Sequence, residues 1–449
     1  MHAPAPTPAI PAQSVYAERR AQVARQLGEG GIAIIPTAPE HPRNRDSDFP
    51  YRHDSYFYYL TGFTEPNASL VINADGKTTL FCAPKDLERE IWDGYRLGPE
   101  AAVAALGVTE AYSVAEQAAR MPKMLENRSV VWYPFAIHQG LESTVAQWLN
   151  GVRARTRYGA LVPEQQRDLC TVLDEMRLFK DAHEVPILRR AGAISARAHI
   201  LAMQRSARML RAGQDVREYH LDAELLQAFR EYGSQYPAYG SIVAAGANAC
   251  VLHYRADAAP IRDGELVLID AGAEYRGYAS DITRTFPVNG RFSAEQRALH
   301  DLVGDAQAAA LAQAKPGVPY EAGHLAAVQT LTEGLLRLGL LKGTLEKNLS
   351  EGLYQRFYRH KTGHWIGLDV HDVGDYRLAG DSRLLEPGMA FTIEPGLYIG
   401  VDDTTVEPRW RGIGIRIEDD VLITAAGHHV LTGALERSAE EIEAFMARR

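Results

Sequence analysis

The chain has 449 residues, 46% of them hydrophobic and 23% charged, with a formal net charge of −9. That length exceeds one ordinary core and predicts two globular domains. The acidic balance argues against a nucleic-acid-binding surface, and no apolar run approaches the roughly 18 residues of a membrane span. Three cysteines, Cys82, Cys170 and Cys250, lie far apart without paired spacing. With no signal peptide ahead of them, they suit a reducing cytoplasm.

Residues 1–14 form a Pro- and Ala-rich stretch that reads as a disordered extension. Charged residues interleaved with Ala, Val and Leu predict a helix over about 16–30, closed by Gly28, Gly30 and Gly31. Residues 32–36 read as a buried strand, and the polar stretch HPRNRDSDFPYRHD as a loop before the aromatic run 56–59. Two strands, 69–72 and 78–81, flank an Asp75-Gly76 turn. Strand 130–133 and a helix carrying Val145 and Trp148 complete an α/β domain over 15–180. A second domain, 181–449, opens on the capping-box sequence DAHE and a long Ala/Arg/Leu helix to about 211. Helices over 294–315 and 320–339 follow a strand region, and further strands end the chain, so this domain is α+β.

Residues 265–287, ELVLIDAGAEYRGYASDITRTFP, organise the second domain. Two runs of strand composition with a Gly between them predict a β-hairpin. With Tyr275-Arg276 as its tip, counting outward sets Asp270 directly opposite Asp281. Opposed residues have Cβ atoms about 4.5–5.5 Å apart, and like charges there repel. The pair requires a shared proton, a shared cation, or a register slip that frees one Asp.

Further polar groups lie on apolar segments of the same domain. They are His253 in ACVLHY, the trio His360, His364 and His371 in HKTGHWIGLDVHD, Glu394 in FTIEPG, and Arg416 and Glu418 in GIGIRIEDD, which reads as one strand with both on one face. A lone His beside Gly is ordinarily a core or loop residue, and each carboxylate could be a solvated strand end. Four unpaired carboxylates on buried strands would each cost several kcal/mol, so together they call for positive charge beyond Arg416. Two divalent cations would supply it. An oxygen-rich set with one imidazole suits Mn²⁺, with Zn²⁺, Co²⁺ and Fe²⁺ also possible. No G-x-S-x-G, G-x-G-x-x-G or P-loop pattern competes with this reading.

The segments VLIDAG, SDITRTFPV, HWIGLDVHDVG, TIEPGLYI and GIGIRIEDD, in this order across about 150 residues, resemble the metallopeptidases of the pita-bread fold. That family includes aminopeptidase P, prolidase, methionine aminopeptidase and the metal-free creatinases. RNRDSDFPYRHDSYFYYLTGFTEP, EIWDGYRLG and MRLFKDAHEVPILRRAG extend the resemblance to bacterial aminopeptidase P over nearly the whole chain. The resemblance implies a creatinase-type N-terminal domain, a pita-bread catalytic domain, and two metal ions. One ion would be held by Asp270, Asp281 and Glu418, the other by Asp281, His364, Glu394 and Glu418. It implies cleavage of the bond between any N-terminal residue and a following proline, through a metal-bridging hydroxide with Glu394 as proton shuttle. His253 and His371 would meet the substrate and the developing charge, His360 would line the proline side, and Arg416 would steady Asp270 and Tyr398. Trp92 and Asp46 match positions near the active-site mouth that a neighbouring subunit can supply, which implies a homotetramer or dimer. Prolidase, which cuts only the Xaa-Pro dipeptide, uses the same ligands and is the alternative.

Overall fold

The computed structural model describes residues 7–447. Residues 1–6 of the Pro/Ala-rich stretch lie outside the described residues, and the first helix begins at Gln13, inside the predicted extension. Among the described residues the chain forms two compact units that divide between Arg177 and Leu178, where the sequence reading placed the boundary at 180/181. Pro8 groups with the second unit, where its carbonyl accepts from Arg276 Nη1 at 3.0 Å.

The first unit is built on a six-stranded sheet. Its order is Glu110–Ser113, Thr78–Cys82, Ser69–Asn73, Gly31–Pro36, Val130–Tyr133, Gln165–Asp168. Gly31–Pro36 runs antiparallel to Ser69–Asn73 and parallel to Val130–Tyr133. It has core on both sides, which explains its unbroken apolar sequence. The aromatic run forms the helix Ser55–Thr61, capped where Asp54 Oδ1 accepts from Phe57 N at 2.8 Å and stopped by Gly62 at φ 65°.

The second unit opens on the 28-residue helix Glu184–Arg211. Its capping box is formed: Asp181 N donates to Glu184 Oε2 and Glu184 N to Asp181 Oδ1, both at 3.0 Å. The helices Ala294–Gln313 and Glu321–Arg337 pack their apolar faces, including Val303, Ala306, Leu331 and Leu335, over Trp365, Ile415 and Ile417 in one core. Each fully buried aliphatic side chain there contributes about 1.5–3 kcal/mol. Short sheets replace one large one. Ile242–Ala245, Leu266–Asp270 and Thr283–Pro287 form the first. Ala390–Ile393, Asp419–Thr424 and Gly427–Val430 form the second, and Gly396–Ile399 pairs with Ile413–Arg416.

The predicted single strand carrying Arg416 and Glu418 is instead two. Ile413–Arg416 ends, Ile417 N donates to Pro395 O at 3.3 Å and Glu418 N to Thr283 O at 3.1 Å, and Asp419–Thr424 then joins a different sheet. The chain changes partners here, so Glu418 reaches the hairpin through an isolated bridge to Thr283.

Lys180 Nζ and Asp372 Oδ2 form a 2.9 Å ion pair with both side chains 1% exposed. Asp372 N also donates to Trp365 O at 2.9 Å, so the pair braces the loop that carries His371. Among the described residues, replacing Asp372 with Ala leaves the buried ammonium only Leu178 O, at 3.4 Å. The expected loss is about 3–5 kcal/mol, measured as a lower midpoint in denaturant at unchanged slope.

Candidate metal centre

The hairpin sets the geometry of the centre. Tyr275 pairs with Tyr278 and Glu274 with Ala279, and Arg276 and Gly277 stand at φ 51° and 80°. The tip is therefore Arg276-Gly277, both left-handed, as the two central residues of a type I′ turn must be. The predicted Tyr275-Arg276 tip is corrected by this, and Asp270 opposes Thr283, not Asp281. The error is two residues. Side chains alternate with a period of two, so both carboxylates stay on one face.

Tyr239 joins them. Its Oη lies 2.6 Å from Asp270 Oδ1 and 2.5 Å from Asp281 Oδ1. One hydroxyl proton can be donated to only one of two carboxylates, so the trio still requires a proton or a cation. Asp281 N donates to Asp420 Oδ2 at 3.1 Å, which fixes the backbone at this point.

Three other segments converge on the pair. Glu418 Oε2 accepts from Thr283 Oγ1 at 2.6 Å. Glu394 follows the strand Ala390–Ile393, and its N donates to Thr362 O at 2.9 Å. His364 Nδ1 lies 3.0 Å from Trp365 O. A carbonyl only accepts, so Nδ1 carries a proton there and leaves Nε2 as the nitrogen that faces the carboxylates. That Nε2 stands 3.5 Å from Asp281 Oδ2 and 3.7 Å from Glu394 Oε1. Asp281, His364 and Glu418 each offer a ligand atom within 4.8 Å of the others.

Arg416, 4% exposed, orients the far side. Its Nη2 donates to Asp270 Oδ2 at 2.6 Å, Nη1 to Tyr398 Oη at 2.9 Å and Nε to Thr283 Oγ1 at 3.2 Å. Tyr398 Oη lies 2.8 Å from His360 Nε2, while His360 Nδ1 lies 2.8 Å from Lys361 O. His360 is thus fixed with its proton on Nδ1 and accepts from Tyr398. Its two nitrogens are committed, so it presents a ring face. His371 lies on His364, with ring centroids 4.0 Å apart. His253 sits on an exposed loop, near enough for its charge to act on both His360 and His371.

The titration behaviour reflects a surplus of negative charge. Burial, with Asp281, Glu394 and Asp270 adding to it, pushes the Glu418 carboxyl well above its ordinary range. Burial raises Glu394 to about 7 despite His364 and Arg416. Burial also raises Asp270 against the pull of Arg416. Burial opposes charge on His364, yet the hydrogen bond and charge of Asp281 hold it up at about 9. Asp281 is lowered because His364 outweighs its burial. Burial takes His360 down to about 4. Three buried carboxylates, the partly buried Glu394, one oriented imidazole nitrogen and a hydroxyl shared by two anions form a hard donor set that fits divalent cations.

Of the sequence-predicted residues, Asp270, Asp281, His364, Glu394, Glu418, Arg416, Tyr398, His360 and His371 meet in this unit. Trp92, 87% exposed, and Asp46, in an exposed turn, belong to the first unit. Tyr239, Thr283 and Asp420 were not anticipated. Tyr239 sits in PAYG, 31 residues before Asp270, where no pattern marks it. Replacing Tyr239 with Phe keeps the ring and removes the hydroxyl. Metal affinity is expected to fall about 10–100-fold, read by titrating metal-stripped protein with unaltered circular dichroism.

Residues 186–425 match metallopeptidase family M24, and residues 16–132 match the aminopeptidase P N-terminal domain. The chain is 42% identical over 435 residues to the Xaa-Pro aminopeptidase of Escherichia coli (strain K12), covering 96% of this chain and 97% of that one. It is 34% identical over 427 residues to Homo sapiens Xaa-Pro aminopeptidase 3, covering 93% and 81%. Among solved structures, Pseudomonas aeruginosa aminopeptidase PepP superposes with a TM-score of 0.95 at 47% identity, covering 98% of this chain and 99% of that one. A variant of Escherichia coli aminopeptidase P in complex with substrate superposes with a TM-score of 0.94 at 41% identity, covering 98% and 99%. The two matched regions follow one another as the two units do, and with the buried donor set they place the chain: it belongs to metallopeptidase family M24.

Proposed function

We propose that this chain is a metal-dependent Xaa-Pro aminopeptidase, releasing the N-terminal residue of peptides whose second residue is proline. The observation that carries it is the buried donor set Asp281–His364–Glu418 in a chain alike over nearly its full length to Xaa-Pro aminopeptidases. Asp270, Asp281, His364, Glu394 and Glu418 would hold two divalent ions, with Asp281 and Glu418 shared between them. Mn²⁺ is the metal the oxygen-rich set favours. When bound, the ions lower the pKa of the attacking water and polarise the scissile carbonyl.

The chain's own residues do the rest. Glu394, whose Oε1 lies 3.7 Å from His364 Nε2, would take the proton of the attacking water and return it to the departing proline nitrogen. His253 and His371 would donate to the carbonyl oxygen as it gains charge. The face of His360, held by Tyr398, would meet the proline ring. A bond to proline lacks the N–H that general peptidases grip, so ring recognition replaces it. Arg416 positions Asp270 and Tyr398. The first unit would be the creatinase-type domain, and its exposed Trp92 and Asp46 would serve the substrate mouth in a homo-oligomer. A reducing cytoplasm suits three unpaired cysteines.

The test sets Mn²⁺-loaded protein against Ala-Pro-Ala, Ala-Pro and Ala-Ala-Ala and follows free alanine. Release from Ala-Pro-Ala well above the other two is expected. Cleavage of Ala-Pro alone would make the chain a prolidase, and cleavage of Ala-Ala-Ala would remove proline selectivity. No cleavage of any peptide by metal-loaded protein would overturn the proposal.

A further inference from the structure

A cavity of about 590 Å³ lies within the second unit between the helices Ala294–Gln313 and Glu321–Arg337 and residues 361–363. Its volume falls in the range of small-molecule sites. Tyr320, Tyr354, Tyr376 and Phe391 wall it, and the small residues Ala310, Ala314 and Gly323 give it depth. Tyr320 is set against Trp365 and Phe391, at centroid distances of 4.6 and 5.6 Å.

Several of its polar groups are uncommitted. Tyr320 Oη, Tyr354 Oη and His324 Nε2 have no hydrogen-bond partner among the described residues, and Lys361 Nζ has no acidic one. The single carboxylate of the lining, Glu321, is already paired with Arg377 at 2.6 Å. Lys361, an exposed residue of the lining, therefore leaves one positive charge in excess beside aromatic walls. Burial, and then the charge of Lys361, lowers His324 to about 4, so its imidazole is neutral.

The same short segment faces both this cavity and the metal centre. Lys361, Thr362 and Gly363 line the cavity, while His360 and His364 flank them at the centre. On the paired strand Thr392 and Ile393 line the cavity and Glu394 belongs to the centre. The two segments are locked together: Thr392 N donates to His364 O and Glu394 N to Thr362 O, each at 2.9 Å. Gly363 has no room for a Cβ, which would come 1.9 Å from Thr392 O. His324 Nδ1 reaches Thr362 Oγ1 at 2.8 Å, and Thr362 Oγ1 lies 2.6 Å from Tyr358 Oη, whose ring packs on His360 at 4.9 Å.

We propose that this cavity is a regulatory binding site for a small aromatic monocarboxylate. The ring enters among Tyr320, Tyr354 and Phe391, and the carboxylate meets Lys361 with His324 Nε2 and a tyrosine hydroxyl as donors. Drawing Lys361 toward a ligand acts on the segment between His360 and His364, so occupancy changes turnover without competing with the peptide. The effect on turnover rests on the proposed peptidase activity; the binding does not.

The test is calorimetric titration of the metal-loaded full chain with 3-phenylpropanoate, and with 3-phenylpropanamide as the uncharged counterpart. Saturable one-to-one binding tighter than about 1 mM is expected, with the amide and Lys361→Met each weaker by about tenfold. An added Cβ at Gly323 meets nothing nearer than Ala310 O at 3.6 Å, so Gly323→Trp can fill the cavity. It is expected to abolish binding and keep the basal rate. Trp365, behind the wall, gives an independent fluorescence readout. Binding absent from the wild type, surviving in Gly323→Trp, or displaced by Ala-Pro-Ala would overturn the site. Binding with kcat unchanged at saturating Ala-Pro-Ala would overturn the regulation alone. Binding by a protein that cleaves none of the peptides would leave the site standing and sink the peptidase reading.

Discussion

Asp281→Asn is expected to empty the metal centre. Stripped and reloaded protein should fall from near two equivalents of metal to well below one, and turnover of Ala-Pro-Ala should fall at least about 10²-fold with it. The argument is positional. Asp281 alone touches Tyr239, His364 Nε2 and the backbone–Asp420 contact at once. It is the acidic member nearest the imidazole in the group within 4.8 Å. An amide there offers one acceptor instead of two and no charge, so both proposed sites lose a ligand together. A folding defect would give the same loss of activity, and metal-free stability separates the two. Burial pushes Glu418 and Asp270 upward, and repulsion from the neighbouring carboxylates adds to it in the absence of metal. Asp281→Asn also removes the anion that holds the His364 imidazole up, so the metal-free variant is expected to be somewhat less stable than wild type, and its midpoint in denaturant gives the fold's share of the loss. A variant that is equally stable and still retains two equivalents of metal would remove Asp281 from its bridging role.

Most of the centre was legible in the sequence because its carboxylates break local rules. Asp270 at the end of an apolar strand and Glu394 after another are hard to explain in a chain that only has to fold, and that conflict is visible without coordinates. The hairpin register was not legible from composition. Gly277 was taken to flank the tip, whereas the type I′ turn uses its left-handed freedom within the tip and places Arg276 there too. The face survived because an error of two preserves alternation. Glu418 misled differently: GIGIRIEDD reads as one strand, yet the chain crosses between sheets after Arg416, which period-two patterning cannot register. Tyr239 had no signal at all. It acts across 31 and 42 residues through a single hydroxyl, and an isolated tyrosine after a proline carries no periodicity. Residues that complete a site from an unrelated segment in this way are set by tertiary packing alone.

Glu394→Ala should leave fold and overall stability in place and remove most of the activity, with kcat lowered by about 10²–10⁴-fold, the usual range for a lost general acid–base. The backbone supports the first half: Glu394 N donates to Thr362 O, and Thr392 N to His364 O, neither of which needs the side chain. The second half rests on where the carboxylate lies. Its Oε1 is 3.7 Å from His364 Nε2, at the edge of the group that would hold the metal, so the carboxylate would lie beside a metal-bound water. As a proposed ligand, Glu394 also differs from Asp281 in not being shared by both ions, so its loss should cost at most one equivalent of metal. Glu394→Gln distinguishes the two duties. Glutamine preserves shape and one oxygen but cannot accept the proton, so a proton carrier predicts that Gln falls nearly as far as Ala while retaining more metal. A Gln variant that recovered most of the wild-type kcat at full metal content would reduce Glu394 to a ligand, and the proton would then have to travel by another group, for which His371, exposed beside His364, is the nearest candidate.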